Sequence, residues 1–177
     1  MKPIDLSKLQ TYPLSERKSM ASLEETLIDP ASTPQNLSPA NQEHITRCAA
    51  DIRSAREAGA SVMYIYGAHL IKNGAHLLLD ELMNGGWITH LATNGAGVIH
   101  DWEWAFHGQS TECVRSNVAT GTFGTWEETG HYLHLALLAG AIKDEGFGQS
   151  VGRMATEDGL TLPSKAELES QLRDEPA

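Results

Sequence analysis

Residues 61–103 have the sequence SVMYIYGAHLIKNGAHLLLDELMNGGWITHLATNGAGVIHDWE. The apolar and aromatic run VMYIY predicts a strand covered on both faces, and a glycine ends it. The leucines that follow fall near one side of a helical wheel, which predicts one packed helix closed by Gly85 and Gly86. WITHLAT is the second predicted strand, and a second helix is expected from about Val98. The order is therefore strand, glycine turn, helix, strand, glycine turn, helix.

Both glycine turns, at residues 67–69 and 93–97, follow the carboxyl end of a predicted strand. A strand–helix–strand unit of this length is nearly always parallel with a right-handed crossover, and such sheets bind ligands at that edge. Glycine has no Cβ, so backbone N–H groups can approach a phosphate there, and the following helix N-terminus favours negative charge. One such turn is most simply a tight connection. Two successive turns at one edge favour a ligand crevice.

Composition indicates a globular chain that carries a net negative charge. The chain has 177 residues, of which 41% are hydrophobic, and a formal charge of −10, so it has the size of one domain with a sizeable core. No lysine or arginine cluster occurs, which argues against nucleic acid and anionic membrane as partners. The charge suits a cationic small molecule, and solubility explains it equally well.

Cysteine usage and the first residues predict the compartment. Cys48 and Cys113 have no C-x-x-C neighbour, which argues against a disulfide scaffold or structural zinc and indicates a reducing environment. The first 19 residues are too polar for a signal peptide, and no apolar run approaches membrane-spanning length. We therefore expect a cytoplasmic protein.

Residues 1–40 contain five of the seven prolines, a density that prevents long regular structure. We predict an extended N-terminal arm that lies on the domain surface or across a neighbouring subunit, with a partly disordered tail as the alternative. Residues 41–177 are predicted to form a Rossmann-like α/β domain, possessing a parallel sheet flanked by helices. Two identified strands are few for an open sheet. Either further strands lie in segments that resemble loops, or the chain is part of a longer polypeptide, which we favour.

Local signals predict three helix starts outside the organising unit. Ser38 followed by Pro39 is typical of an N-cap with proline at the first helical position. Residues 125–128, TWEE, and residues 164–167, SKAE, both have the pattern of a capping box. Residues 107–110 are predicted to form a loop.

Residues 66–74, YGAHLIKNG, and residues 91–101, LATNGAGVIHD, together resemble deoxyhypusine synthase and its bacterial relatives. That family has a small-polar-Asn-Leu-Ile-x-x-Gly turn and then a Thr-Thr-Ala-Gly-Gly-Val-Glu-Glu-Asp turn at similar spacing. The resemblance covers residues 62–108. It implies a Rossmann-like NAD-binding domain in a homotetramer with active sites at subunit interfaces. Such enzymes oxidise spermidine with NAD, pass an aminobutyl group to an enzyme lysine, and deliver it to an acceptor amine.

The resemblance also implies site residues. His100 stands where the family carries an acidic residue close to the polyamine, and Asp101 matches the acidic residue after it, so both are catalytic candidates. The family's acidic pair is replaced by Ile99 and His100, and no Trp-Gly-Lys segment that would carry the catalytic lysine occurs. The residues that the resemblance places against NAD are Gly67, Ala68, His69, Lys72, Thr93, Asn94, Gly95, Ala96 and Gly97.

Eight histidines occur, and none has the spacing of a known zinc motif. His131 and His134 are three apart, which permits a shared ligand but is more often a polar helix edge. His69 and His100 follow strand ends, where an imidazole can serve as general base for an amine or alcohol. A hydrogen-bonded structural histidine is the alternative for each. Asp101 is predicted to orient the imidazole of His100.

Three functions are compatible with these patterns. The leading prediction is an NAD-dependent transferase acting on a polyamine or related amine, as a homo-oligomer that by resemblance is a tetramer. The second is an NAD-binding regulatory or non-catalytic relative that lacks the transferase lysine. The third is a histidine-dependent metal hydrolase, although no metal ligands are predicted.

Overall fold

The computed structural model describes residues 5–34, 36–157, 159 and 161–174. Its contacts divide the chain into two compact units. The first unit is Ser15–Phe123, and the second combines the described residues of Met1–Leu14 and Gly124–Ala177. The architecture is mixed α/β, and the strands of the described residues form two sheets of two strands each. The boundary predicted at residue 40 stays a prediction.

Short elements alternate along the chain. The four strands of the first unit are β1 (Ser19–Ser22), β2 (Met63–Tyr66), β3 (His90–Thr93) and β4 (Gln109–Glu112). Its helices are α1 (Leu23–Thr26), α2 (Pro39–Glu57), α3 (Ala68–Lys72), α4 (His76–Asn84), α5 (Gly95–His107) and α6 (Val114–Thr120). The second unit contains α7 (Glu127–Ile142), α8 (Phe147–Thr156) and α9 (Lys165–Asp174), and single 3₁₀ turns lie at Leu6–Lys8 and Leu14–Glu16.

The parallel pairing predicted for the two organising strands is confirmed. Strands β2 and β3 run parallel, from the pair Met63 and His90 to the pair Tyr66 and Thr93. One face of this small sheet packs on the core of the first unit, which is formed by Ile71, Leu79, Ile88 and Trp104.

The prediction that β2 is covered on both faces is wrong. Tyr64 and Tyr66 pack against the core, whereas Met63 and Ile65 are 55% and 73% exposed. Because successive side chains of a strand point to opposite faces, this alternation means that only one face of the sheet is covered within this unit.

The single helix predicted after β2 is also wrong, because the chain breaks at Gly74 into α3 and α4. Gly74 has φ +83°, and a Cβ there would lie 2.0 Å from the carbonyl oxygen of Thr26. The Gly74 carbonyl accepts a hydrogen bond from the Ile28 amide at 3.0 Å. The helix ends where the N-terminal segment passes directly against the backbone, which only glycine permits.

Strand β4 lies where a loop was predicted at residues 107–110. It pairs antiparallel with β1, so that Ala21 lies opposite Ser110. The extended arm is therefore partly built into the first unit through a strand and the short helix α1. The predicted start of α2 is confirmed, since Ser38 Oγ accepts a hydrogen bond from the Asn41 amide.

The second unit packs α7 against α8 at a point of close approach. A Cβ on Gly140 would lie 1.7 Å from the Oγ of Ser150, which is fully buried. The capping box at Ser164 is confirmed, because Glu167 accepts from the Ser164 amide at 2.7 Å and the Glu167 amide donates back to Ser164 Oγ.

The capping box predicted at residues 125–128 is wrong in its geometry. The N-cap of α7 is Trp126, one residue later than predicted, and its side chain makes no cap hydrogen bond. Glu127 instead accepts from Thr11 Oγ1, and Glu128 accepts from the Leu14 amide at 2.6 Å.

Of the helices in the described ranges, none is both long enough and apolar enough to cross a bilayer.

Candidate functional site

Two turns, here called the glycine corners, lie side by side at the carboxyl edge of the β2–β3 pair. The first corner is residues 67–69 and the second is residues 93–97. A Cβ built on Gly67 would lie 3.8 Å from the side-chain nitrogen of Asn94, so the corners adjoin. Gly67 itself has φ −101°, a conformation that any residue adopts. The juxtaposition predicted from the sequence is therefore present, and it comes from the parallel register.

The second corner starts helix α5 three residues earlier than predicted. Asn94 is the N-cap, and its side-chain oxygen accepts a hydrogen bond from the Gly97 amide at 3.0 Å. Gly97 is buried, and a Cβ there would lie 2.3 Å from Thr93 Oγ1, so a larger residue does not fit. Gly95, in contrast, has open space where a Cβ would stand. The corner thus combines one glycine required by packing with one that leaves the helix N-terminus accessible.

Helix α3 supplies basic side chains beside α5. It begins within the first corner with Ala68 and His69, carries Lys72 one turn later, and packs against α5. The charges of Lys72 and His69 both lower the pKa of His100, which places the three side chains in one electrostatic neighbourhood. In a chain with a formal charge of −10, this is a local concentration of basic groups.

His100 belongs to a buried chain of polar contacts that includes residues outside the predicted site. Its Nδ1 lies 2.7 Å from the hydroxyl of Ser110, and that hydroxyl donates to Glu103 Oε2 at 2.6 Å. The other carboxylate oxygen of Glu103 accepts from Arg17 at 2.5 Å. Ser110 is fully buried, and Glu103 and Arg17 are 3% and 5% exposed. We call these four residues the His100 chain.

The surroundings of His100 favour its neutral form. Burial is the largest influence that lowers the pKa of His100 below its ordinary value, and the nearby charges of Lys72, Arg17 and His69 lower that pKa further. The carboxylate of Glu103 acts in the opposite direction. A neutral imidazole is the form that accepts a proton, so the site holds a base at neutral pH.

Asp101 has a different partner from the one predicted. Its carboxylate lies 3.3 Å from Nε2 of His76, at the start of α4, and its side chain is 64% exposed. The partner of the His100 imidazole is Ser110. Burial is the main cause that raises the pKa of Tyr66 above its ordinary value, and the nearby charge of Asp101 raises that pKa further. Asp101 therefore lies at an open rim of the same unit.

Arg17 and Ser110 were not predicted as site residues, and no role was predicted for Glu103. Arg17 lies in the predicted arm and Ser110 in a predicted loop. Arg17 lies 86 residues from Glu103 in sequence, and the pairing of β4 with β1 holds Ser110 opposite Ala21. The position of Glu103 one turn after His100 on α5 was the one available signal.

Two cavities lie away from the glycine corners. One, of about 340 Å³, is an apolar pocket in the first unit between Tyr64, Leu70, Leu79 and Trp87. The other, of about 330 Å³, lies in the second unit and is lined by His131, His134 and Glu127 among others. Within the described ranges, no three His, Cys, Asp or Glu side chains are grouped as metal ligands. His134 Nδ1 donates instead to the Gly130 carbonyl at 2.6 Å.

Comparison with known proteins gives no match, either among protein-family models or among curated proteins and solved structures. The resemblance to deoxyhypusine synthase therefore stays a prediction.

Proposed function

We propose that the first unit binds NAD between the glycine corners and that the protein is an NAD-dependent transferase of the deoxyhypusine synthase type, acting on a polyamine or related amine. The architecture that belongs to this proposal is Rossmann-like, with β2 and β3 as its central parallel pair. The observation that carries it is the contact between the two corners, where a Cβ on Gly67 would meet Asn94. A cytoplasmic homotetramer, as the resemblance implies, is part of the same proposal.

The residues of the corners fit a dinucleotide phosphate. The N-terminus of α5 presents backbone amides and a favourable dipole to an anion, and the space beside Gly95 is open. The Lys72 ammonium in α3 adds a positive charge nearby. We place the phosphates against Gly95, Ala96 and Lys72. Gly67, Ala68, His69, Thr93, Asn94 and Gly97 complete the walls.

The catalytic assignment rests on the protonation state of His100. When bound, NAD supplies the acceptor for a hydride from the amine-bearing carbon. The neutral imidazole of His100 takes the proton that the amine nitrogen loses as that carbon is oxidised. Asp101, exposed at the rim, provides negative charge for a second ammonium of a polyamine.

NAD is expected to raise the melting temperature of the protein. At a concentration one hundred times its Kd, a ligand that binds only the folded state adds about 2.7 kcal/mol of stability. For a chain of this length that corresponds to a rise of roughly 5–10 °C. Gly95→Val fills the open space and should abolish most of the rise. Gly148→Val, at another helix start with open space in the second unit, is the matched control. No rise with the wild-type protein at millimolar NAD would remove the proposal.

A second candidate is an NAD-binding relative without transferase activity, favoured by Ile99 and His100 standing where the family carries an acidic pair. Borohydride reduction in the presence of spermidine and NAD separates the two functions. A lysine that gains an aminobutyl group supports the transferase. Binding of NAD with no labelled lysine supports the second candidate.

A further inference from the structure

The order of groups in the His100 chain resembles a catalytic triad only superficially. In such triads the histidine lies between the serine and the acid. Here the serine lies in the middle, because the hydroxyl of Ser110 contacts both His100 and Glu103. Ser110 is fully buried, so its oxygen is inaccessible to a substrate. Ser110 is therefore not a nucleophile in this arrangement.

The direction of each hydrogen bond in the His100 chain follows from the ion pair between Arg17 and Glu103. Arg17 and Glu103 are both buried and their charged atoms lie 2.5 Å apart, so Glu103 is a carboxylate and only accepts. The hydroxyl of Ser110 has a single proton, and it is donated to Glu103 Oε2. The oxygen of Ser110 then faces His100 with a lone pair only. The imidazole nitrogen Nδ1 must carry the proton of the contact at 2.7 Å.

We propose that Arg17, Glu103 and Ser110 are positioning residues that hold neutral His100 in its Nδ1–H tautomer and so leave Nε2 as the proton-accepting atom of the site. The tautomer is a property of the folded protein alone. The use of Nε2 as a base rests on the function proposed above.

The backbone next to Ser110 supports this role. Thr111 has φ +68°, a left-handed conformation that is rare for a β-branched residue, and its Oγ1 is buried without a hydrogen-bond partner among the described residues. Such strain persists only where the surrounding structure imposes it. Thr111 directly follows Ser110 in β4, so the strained residue lies next to the hydroxyl that the chain requires.

Every charged group that acts on His100 comes from an element packed around it. Glu103 lies on the same helix, Lys72 and His69 come from α3, and Arg17 comes from the segment before β1. Of these groups, Glu103 alone favours the imidazolium. Glu103 therefore has two effects on His100, one on its pKa by charge and one on its tautomer through Ser110.

Nitrogen-15 NMR of histidine-labelled protein tests the proposal without any ligand. The wild-type spectrum should show Nδ1 of His100 protonated and Nε2 unprotonated at neutral pH. Ser110→Ala removes the acceptor and should shift the population toward Nε2–H, the tautomer that a histidine side chain prefers in water. Ser116→Ala, an exposed serine on α6, should leave the tautomer unchanged. Glu103→Gln leaves one acceptor oxygen for two donors, and the Arg17 guanidinium, which can only donate, should take it. The amide NH₂ then faces Ser110 and turns its hydroxyl proton toward His100 Nδ1, so this variant should shift His100 toward the Nε2–H tautomer and lower its pKa.

Each result decides the matter. An Nε2–H tautomer of His100 in the wild-type protein overturns the proposal even if Ser110→Ala fails to fold. An unchanged Nδ1–H tautomer in folded Ser110→Ala overturns it as well. If the tautomer is Nδ1–H and responds to Ser110 but NAD does not bind, the positioning chain stands and the proposed function fails.

Discussion

Removing one partner of the buried ion pair between Arg17 and Glu103 should destabilise the protein severely. The two side chains are 1% and 4% exposed. At 2.5 Å and an effective dielectric constant of about 20, the gross attraction is about 6–7 kcal/mol. Desolvation of the two ions costs several kcal/mol each and offsets most of it, so the intact pair contributes little net stability. Arg17→Met leaves the carboxylate buried without its guanidinium, for which we expect a loss of about 3–5 kcal/mol.

Urea unfolding followed by far-UV circular dichroism measures this loss. The double variant Arg17→Met with Glu103→Met removes both charges and should regain at least half of it, because no uncompensated charge remains. The control is Lys165→Met, which breaks an exposed pair with Glu169 on α9 and should cost no more than about 0.5 kcal/mol. An Arg17→Met loss below about 1 kcal/mol, comparable to a surface pair, would show that the carboxylate is not confined in the interior.

Four further substitutions, one of them a control, test local features of the first unit. Gly97→Ala brings a Cβ to 2.3 Å from Thr93 Oγ1 and should lower the free energy of unfolding in urea by about 1–3 kcal/mol. Gly95→Ala, in open space, is the control and should change it by less than about 0.5 kcal/mol. Equal effects would contradict the packing of the second corner. Thr111→Gly relieves the left-handed strain and removes an unpartnered hydroxyl, so it should stabilise by about 1 kcal/mol, and a clear loss would contradict the strain at β4. The pKa of His100 is lower in the folded protein than its ordinary 6.5, so the unfolded chain binds more protons just below that pH. The resulting contribution to stability is complete above pH 6.5 and is lost as the pH falls through the folded pKa. His100→Gln should therefore flatten that part of the curve of stability against pH, and an unaltered curve would contradict the burial of the imidazole.

The organising unit was predictable because its signals are local. An apolar strand, a glycine and a leucine-rich helix follow one another within residues 61–103, and a crossover of this length makes the two strands parallel. Strand β2 was misjudged on one point, since periodicity does not reveal that Met63 and Ile65 face an uncovered side. The break at Gly74 escaped prediction because its cause, the carbonyl of Thr26, lies far away in sequence.

The site was only half predictable for the same reason. His100 and the corners follow strand ends, which chain order reveals. Chain order does not reveal the partners of His100, because Arg17 lies 86 residues from Glu103 and reaches it through tertiary packing. The sequence also suggested Asp101 as the group that orients His100, whereas helical geometry directs adjacent residues to different sides, toward His76 for Asp101 and toward Ser110 for His100.

The most direct test of the proposed nucleotide crevice is a titration of nitrogen-15-labelled protein with NAD, followed through the backbone amides by NMR. The amides of Gly67, Gly95 and Ala96 should shift together and saturate with one Kd, while those of α7 to α9 stay unchanged. Amides of both corners that do not move at millimolar NAD, or shifts confined to the second unit, would contradict the account.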